Sequence, residues 1–244
     1  MRNTCGFHQV SEPGGRLVCS RHRSPPARKL MQLSTLTLTR GDFGRHLDLV
    51  VGMHRLRRQV FKDRLEWDVI VSGDMEIDGY DAEDATYLLV IADGREVVGH
   101  VRLLSTLGPN MLADTFPFLV DDGEAPCSSE IVESSRFCVD TSRVTDAMGS
   151  GTCRATRLLF AAILDWCLTH GQHTLATVTD TRMERILRRS GWPLQRLGAP
   201  RRIGSTDVVA GLLPITQEHF SAFREAAREP VRPTAFGGSL KLAA

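Results

Sequence analysis

TYLLVIADGREVVGHVRLLST, residues Thr86–Thr106, is the stretch whose reading decides the fold. Two runs rich in β-branched residues flank Ala92-Asp93-Gly94-Arg95, a turn signal centred on Asp-Gly, and together they predict a hairpin. Downstream, IVESSRFCVD (131–140) alternates as a third strand, and TRLLFAAILDWCLTHG is the clearest helix, with Gly171 as its stop. TLATVT, Leu194–Leu197 and Asp207–Leu213 read as further strands, and Thr181–Ser190 and Thr216–Arg228 as helices. Upstream, LSTLTL (33–38) reads as an edge strand. Asp42–Leu65 reads as one or two amphipathic helices, broken near Gly52, and an acidic loop follows. Residues 107–128, with Gly, Pro, Asn and Asp, form a long excursion. Helices interleave with a mixed sheet, so the class is α/β, a three-layer α-β-α sandwich.

The 244 residues carry a formal net charge of +1, and the 42% of hydrophobic residues suffices for one packed core. The charge balance argues against a generic nucleic-acid binder, and no apolar run approaches the ~18 residues of a membrane span. The six cysteines include no CxxC pair, which points to reduced thiols and a cytoplasmic protein without a zinc site. No P-loop, GxGxxG, GxSxG or HExxH occurs.

Residues 1–30 hold six bases against Glu12 alone, so residues 31–244 carry −4. The basic, Pro- and Gly-containing segment is expected to be a disordered extension, with a mitochondrial presequence as an alternative. Met31 opens the patterned region and is a second candidate start of translation. The domain is expected over 31–230, with 231–244 a flexible tail. Within it, residues 63–84 hold nine acids and one base, and residues 182–202 hold seven arginines and one acid. Either run is a solvated face or a surface for an oppositely charged ligand.

Four clusters carry chemistry. In RLRRQVFKDRLEW, Arg57 and Phe61 stand one helical turn apart, with Trp67 beyond. In MEIDGYD, Glu76, Asp78 and Asp81 lie on a loop and suit an ammonium, a sulfonium or Ca²⁺, although the spacing is not that of an EF-hand. Arg102 interrupts an apolar strand, so it snorkels at an edge or is paired in a cleft. In ESSRF, alternation puts Glu133 and Ser135 on one face and Ser134 and Arg136 on the other, unless a bulge brings them together. Burial raises the Glu133 pKa unless Arg102 or Arg136 pairs with it, and a raised carboxylate is a usable general base. His54, His100, His170 and His173 form no metal spacing and read as surface or core residues.

In this order and spacing, RLRRQVFKDRLEW, MEIDGYD, the hairpin, PNML and ESSRFCVD closely resemble the LuxI-type acyl-homoserine-lactone synthases of bacterial quorum sensing, over about Met31–Pro214. The resemblance implies a GNAT (acetyltransferase)-like sandwich and an acyltransferase. Such an enzyme takes an acyl chain from acyl carrier protein, acylates the amino group of S-adenosylmethionine, and lactonises with release of methylthioadenosine. It implies no cofactor, since S-adenosylmethionine is a substrate, and neither nucleic acid nor membrane as partner. The family's functional set falls on Arg57, Phe61, Trp67, Asp78, Asp81, Arg102, Glu133 and Arg136, all present. Glu133, Asp78, Arg102 and Arg136 are the expected catalytic group, with Glu133 as base. Arg57, Phe61, Trp67, Asp78, Asp81 and Arg136 are the expected S-adenosylmethionine contacts, with Arg57 on the carboxylate and the aromatic pair over the adenine or sulfonium. Leu104, Phe118, Leu159, Phe160, Ile163, Ala176 and Thr177 are candidates for the acyl pocket, Thr177 for recognising a 3-oxo group. Arg182, Arg185, Arg188 and Arg189 recur at three- and four-residue steps and are expected to dock the acidic carrier protein. The alternatives are a GNAT-like N-acyltransferase using acyl-CoA, although AMGSGTCRAT lacks the full pyrophosphate-loop pattern, and a GNAT-like sensor without catalysis.

Overall fold

The computed structural model describes residues 31–121, 123–144 and 152–228. The expectations for 1–30, for 231–244 and for the glycines of AMGSGT lie outside these.

The hairpin forms as its sequence requires. β4 (Thr86–Ala92) and β5 (Glu96–Ser105) pair antiparallel, and both turn residues adopt the left-handed region, Asp93 at φ 48° and Gly94 at φ 73°. β4 is apolar throughout because both its faces are covered. Tyr87, Leu89 and Ile91 pack with Val50 and Met53 of α1 (Leu47–Arg57), while Leu88, Val90 and Ala92 join Leu159 and Ile163 of α3 (Arg154–Thr169) in the largest core cluster. Gly99 of β5 lies under Leu159, where a Cβ would stand 3.2 Å from the leucine Cδ1. This close approach lets α3 settle on the sheet.

The main sheet has eight strands. β1 (Leu33–Thr39) is the edge expected from LSTLTL, followed by β4, β5, β6 (Ile131–Val139), β7 (Thr174–Asp180) and β10 (Thr206–Pro214). β8 (Gln195–Arg196) and β9 (Arg201–Ile203) both pair with β10. β6 and β7 are parallel and the other pairs antiparallel, so the sheet is mixed and helices lie on both faces. A separate small hairpin, β2 (Val71–Ser72) with β3 (Met75–Glu76), forms inside the stretch read as an acidic loop. The excursion after β5 contains α2 (Met111–Asp114), capped by the Asn110 side chain on Ala113 N. α4 (Thr181–Arg189) is capped by Asp180 on Met183 N, and α5 (Gln217–Arg228) packs on α3.

The break expected near Gly52 does not occur. Gly52 sits inside α1, and the irregularity comes later, where the helix widens into a π-helical segment over Arg58–Arg64. A π-segment re-aims the side chains that follow it. Here it carries Phe61 over the end of β6 against Cys138, with Trp67 beside it at a ring separation of 5.3 Å.

Two features of β6 create the site. It pairs with β7 only from Ile131 to Ser134, and the two strands then part. Facing β5, its register slips between His100 and Arg102, so that His100 opposes Cys138 but Arg102 opposes Ser135. The extra residue is taken up at Arg136, whose φ is 54°.

Candidate active site

The parted strands open onto a cavity of about 770 Å³. Glu133, Arg136, Phe61 and Trp67 border it, and so do Phe160, Ile163 and Thr177 of the expected acyl pocket and Arg182 of α4. Its depth is apolar. Phe160 meets the rings of Phe137, Trp192 and Phe223 at 5.1–5.6 Å, edge-on or tilted.

Behind one wall lies a buried ion cluster. The Arg57 side chain is 0% exposed, and its Nε donates to Glu76 Oε2 at 2.5 Å while both Nη atoms donate to Asp81. Arg102, equally buried, grips Asp78 in bidentate fashion and also reaches Asp81 and Ser135 Oγ. Arg136 donates twice to Glu76 Oε1, lies 2.8 Å from Asp78 Oδ2, and spreads over the Phe61 ring at 5.4 Å. Three guanidiniums thus neutralise three carboxylates. Bidentate, charge-assisted contacts are the geometry that makes burial of such charges tolerable. Despite the desolvation that raises it, the hydrogen bonds and charge of Arg57, aided by Arg102, hold Asp81 well below the usual carboxylate range.

The local fold of MEIDGYD follows from the same acids. Asp78 accepts from Tyr80 N, and Asp81 accepts from Asp78 N, a reciprocal cap that winds Gly79–Ala82 into a turn. The cluster corrects two expectations. Arg57 has no free face to offer a substrate carboxylate, because Glu76 and Asp81 occupy its donors. Glu76, Asp78 and Asp81 are already matched by arginine and form no open cation or calcium site, and no group of three or more metal-ligating side chains occurs among the described residues. Asp78 and Arg102 do not line the cavity; Asp78 pairs with Arg136 and is itself gripped by Arg102.

Glu133 differs from these acids. It is buried, and Oε2 accepts from Leu112 N at 2.7 Å while Oε1 has no partner. It forms no ion pair with Arg102 or Arg136 among the described residues. Burial pushes its pKa up to about 7, with the Leu112 N–H and the Arg102 charge pulling only partly against it.

The bulge resolves the alternation in ESSRF. Ser135 and Arg136 both turn toward the ion cluster, Phe137 toward Phe160, and Cys138 back toward Phe61. Glu133 and Arg136 therefore reach one cavity from one strand.

Four acyl-pocket candidates do not line this cavity. Leu104 faces α1, packing with Leu38 and Met53, because its neighbour Leu103 takes the α3 face. Leu159 is consumed in packing against Gly99. Ala176 precedes Thr177 on β7 and faces Leu112 and Leu119. Phe118, on the excursion, is 51% exposed. Thr177 borders the cavity, but its hydroxyl already donates to the Ser134 carbonyl at 3.1 Å. The four α4 arginines are exposed and form no ion pair among the described residues, whereas Glu184 pairs with Arg196.

Sequence reasoning passed over Arg64 and read His100 as a surface or core residue without a role at the site. Arg64, at the end of the π-helical segment, borders the cavity with an exposed guanidinium tethered to Val139 O and Thr141 Oγ1. His100, a polar residue in an apolar strand just as Arg102 is, is buried and bonds the Arg136 carbonyl.

Residues 45–223 match the family described as autoinducer synthase. The chain belongs to the autoinducer synthase family. It is 46% identical over 185 residues to the acyl-homoserine-lactone synthase of Agrobacterium fabrum, covering 76% of this chain and 88% of that one. Among solved structures it resembles the synthase LasI, with a TM-score of 0.70 and 36% identity over 80% of this chain and 96% of that one. It also resembles the CoA-dependent synthase BjaI with SAM and isopentyl-CoA, with a TM-score of 0.72 and 25% identity over 82% and 91%. As a member of this family the chain is an acyltransferase of the acyl-homoserine-lactone synthase type, and its sandwich is GNAT-like. None of the described helices is long and apolar enough to cross a membrane.

Proposed function

We propose that this synthase takes its acyl chain from acyl carrier protein and transfers it to the amino group of S-adenosylmethionine, with no cofactor. The observation that carries the reading is the unpaired Glu133 carboxylate, pKa about 7, between a polar rim and an apolar depth in one cavity. A base poised near neutrality removes a proton from the substrate ammonium, directly or through a water. The freed amine attacks the thioester carbonyl, the C–S bond breaks, and the departing thiolate of the carrier takes up a proton. Backbone N–H groups on β6, left without β7 partners beyond Ser134, are suited to hold the transient oxyanion. The methionine carboxylate then attacks the carbon beside the sulfonium. That C–S bond breaks, releasing methylthioadenosine and closing the lactone, a ring closure favoured by proximity.

Phe61 and Trp67 suit the adenine or the sulfonium. Arg136 and the exposed Arg64 suit the carboxylate, in the place first given to Arg57. The acyl chain runs toward Phe160 and Ile163. A 3-oxo chain would take its hydrogen bond by Thr177 exchanging the Ser134 carbonyl for the substrate's, and Thr177→Val then shifts the products toward unsubstituted chains. The exposed arginines of α4 face an acidic carrier, with Arg182 at the mouth of the cavity. A cytoplasmic site of action is part of the proposal and agrees with the free thiols of Cys127, Cys138, Cys153 and Cys167.

The second reading, an acyl-CoA donor, draws on BjaI being CoA-dependent. The test offers the purified protein S-adenosylmethionine with matched acyl-carrier and acyl-CoA thioesters, following methylthioadenosine release and identifying lactones by mass spectrometry. Faster release from the carrier thioester is expected. Faster release from CoA overturns the donor assignment, and release from neither overturns the function.

A further inference from the structure

His100 is buried, with 0% exposure, on the strand next to the bulge. Its Nδ1 lies 3.0 Å from the Arg136 carbonyl oxygen, and its Nε2 has no partner. A carbonyl only accepts, so the proton is on Nδ1 and the ring donates. Burial, together with the charge of Arg57, keeps the imidazole pKa well below its ordinary value, so the ring is neutral. The ring stacks on Tyr87 at 5.9 Å, whose hydroxyl donates to Asp81.

The residue that receives this hydrogen bond has the least ordinary backbone in the strand. Arg136 lies at φ 54°, a region disfavoured for any residue with a Cβ. Only this conformation places Ser135 and Arg136 consecutively on the ion-cluster side. In a regular strand Arg136 would alternate to the α3 face, away from Glu76 and Asp78. An unfavourable backbone conformation persists where its surroundings over-determine it. The guanidinium contacts do so from one end and the His100 ring from the other.

We propose that His100 is a positioning residue for acyl transfer: its Nδ1–H, donated to the Arg136 carbonyl, holds the bulge that turns the Arg136 guanidinium into the cavity. The proposal rests on the reading of Arg136 as a substrate contact. It assigns His100 no contact with substrate.

The test uses the full chain and measures kcat and KM for S-adenosylmethionine by methylthioadenosine release, with a thermal midpoint for each variant. His100→Asn places an amide N–H near the position of Nδ1, His100→Gln carries it one methylene further, and His100→Leu removes it. The Leu and Gln variants are expected to lose kcat/KM by roughly tenfold, with Asn within about threefold of the parent. In an Arg136→Ala background the same His100→Leu change should cost little, because no guanidinium is left to aim. A purely structural histidine predicts equal Asn and Gln variants and a Leu penalty that persists in the Arg136→Ala background, and either result overturns the proposal. If the Leu variant fails to fold, the Asn–Gln comparison decides. A parent protein that releases no methylthioadenosine refutes the proposed function instead, and an active parent with an unaffected Leu variant refutes only the role of His100.

Discussion

Glu133 and the three other acids around the site are separated by their partners, not by their residue type. Glu76, Asp78 and Asp81 each meet at least one guanidinium, whereas Glu133 pairs with none and accepts from the Leu112 N–H in a buried setting. Two outcomes follow for Glu133→Gln. First, turnover should fall by roughly 10²-fold or more, and the parent's kcat/KM should rise with pH through about 7 as the base ionises, a limb absent from the variant. Second, the carboxyl holds its proton in the folded state up to about pH 7, while the unfolded chain releases it near 4.5. The folded state then binds more protons in that window, so the stability contributed by the protonated carboxyl is lost as pH rises from about 4.5 to about 7. The variant should therefore gain on the parent over that range, by up to about 3 kcal/mol. Urea unfolding of both proteins at pH 5 and 8 checks the sign. A parallel pH dependence in the two would show that Glu133 is not held neutral.

At the scale of elements, α4 is a short helix with separate tasks on its sides. Leu187 is buried beneath it, and Met183 and Ile186 border the cavity, while Arg185, Arg188 and Arg189 project outward. Unpaired exposed arginines steer an acidic partner and raise its association rate, an effect that salt screens. Arg185→Glu with Arg189→Glu should raise the Michaelis constant for the acyl-carrier substrate, less so at high salt, and leave that for S-adenosylmethionine in place. Steady-state kinetics at two ionic strengths measure both, and unchanged constants would make α4 a merely solvated surface. α3 and α5 meet at the aromatic floor, where Phe160 touches Trp192 and Phe223. Phe160→Ala should cost about 3–5 kcal/mol of stability. It should also lengthen the accepted chains, which lactone mass spectrometry reads directly.

Across the whole molecule, the ion cluster ties together α1, the Gly79–Ala82 turn, β5 and β6. Arg57 is its hub and belongs to folding before it belongs to binding. Removing it leaves Glu76 and Asp81 without their strongest partner at a buried site, a change that typically costs about 3–5 kcal/mol. Arg57→Ala is accordingly expected to yield little folded protein, visible as a lowered thermal midpoint before any kinetic constant is measured. A well-folded variant with a raised constant for S-adenosylmethionine alone would return Arg57 to the substrate. Acid works in the same direction. Asp81, depressed below its unfolded value, contributes stability that is complete above about pH 4 and is lost as the pH falls through its folded pKa.

Local pattern by itself determined the longer strands, the long α3 helix, the sandwich class and the family, because those depend on periodicity, turn chemistry and ordered motifs within a few residues of each other. Asp93-Gly94 sets the hairpin, and the doubly apolar β4 demands cover on both faces. Glu133, Arg136, Phe61 and Trp67, which border the cavity, were also named there, since unusual polar groups in apolar strands stand out in a sequence. Which partners each of them meets was decided only by the tertiary structure. Periodicity does not show that Arg57 spends its donors on acids 19 and 24 positions away while Glu133 pairs with no arginine. It does not place the extra residue of β6 at Arg136, since a bulge is a mismatch between two strands and neither strand records it alone. It cannot tell Leu104 from Thr177 as a lining residue either, because the face a strand residue serves depends on which helices cover the sheet and on where β6 leaves β7.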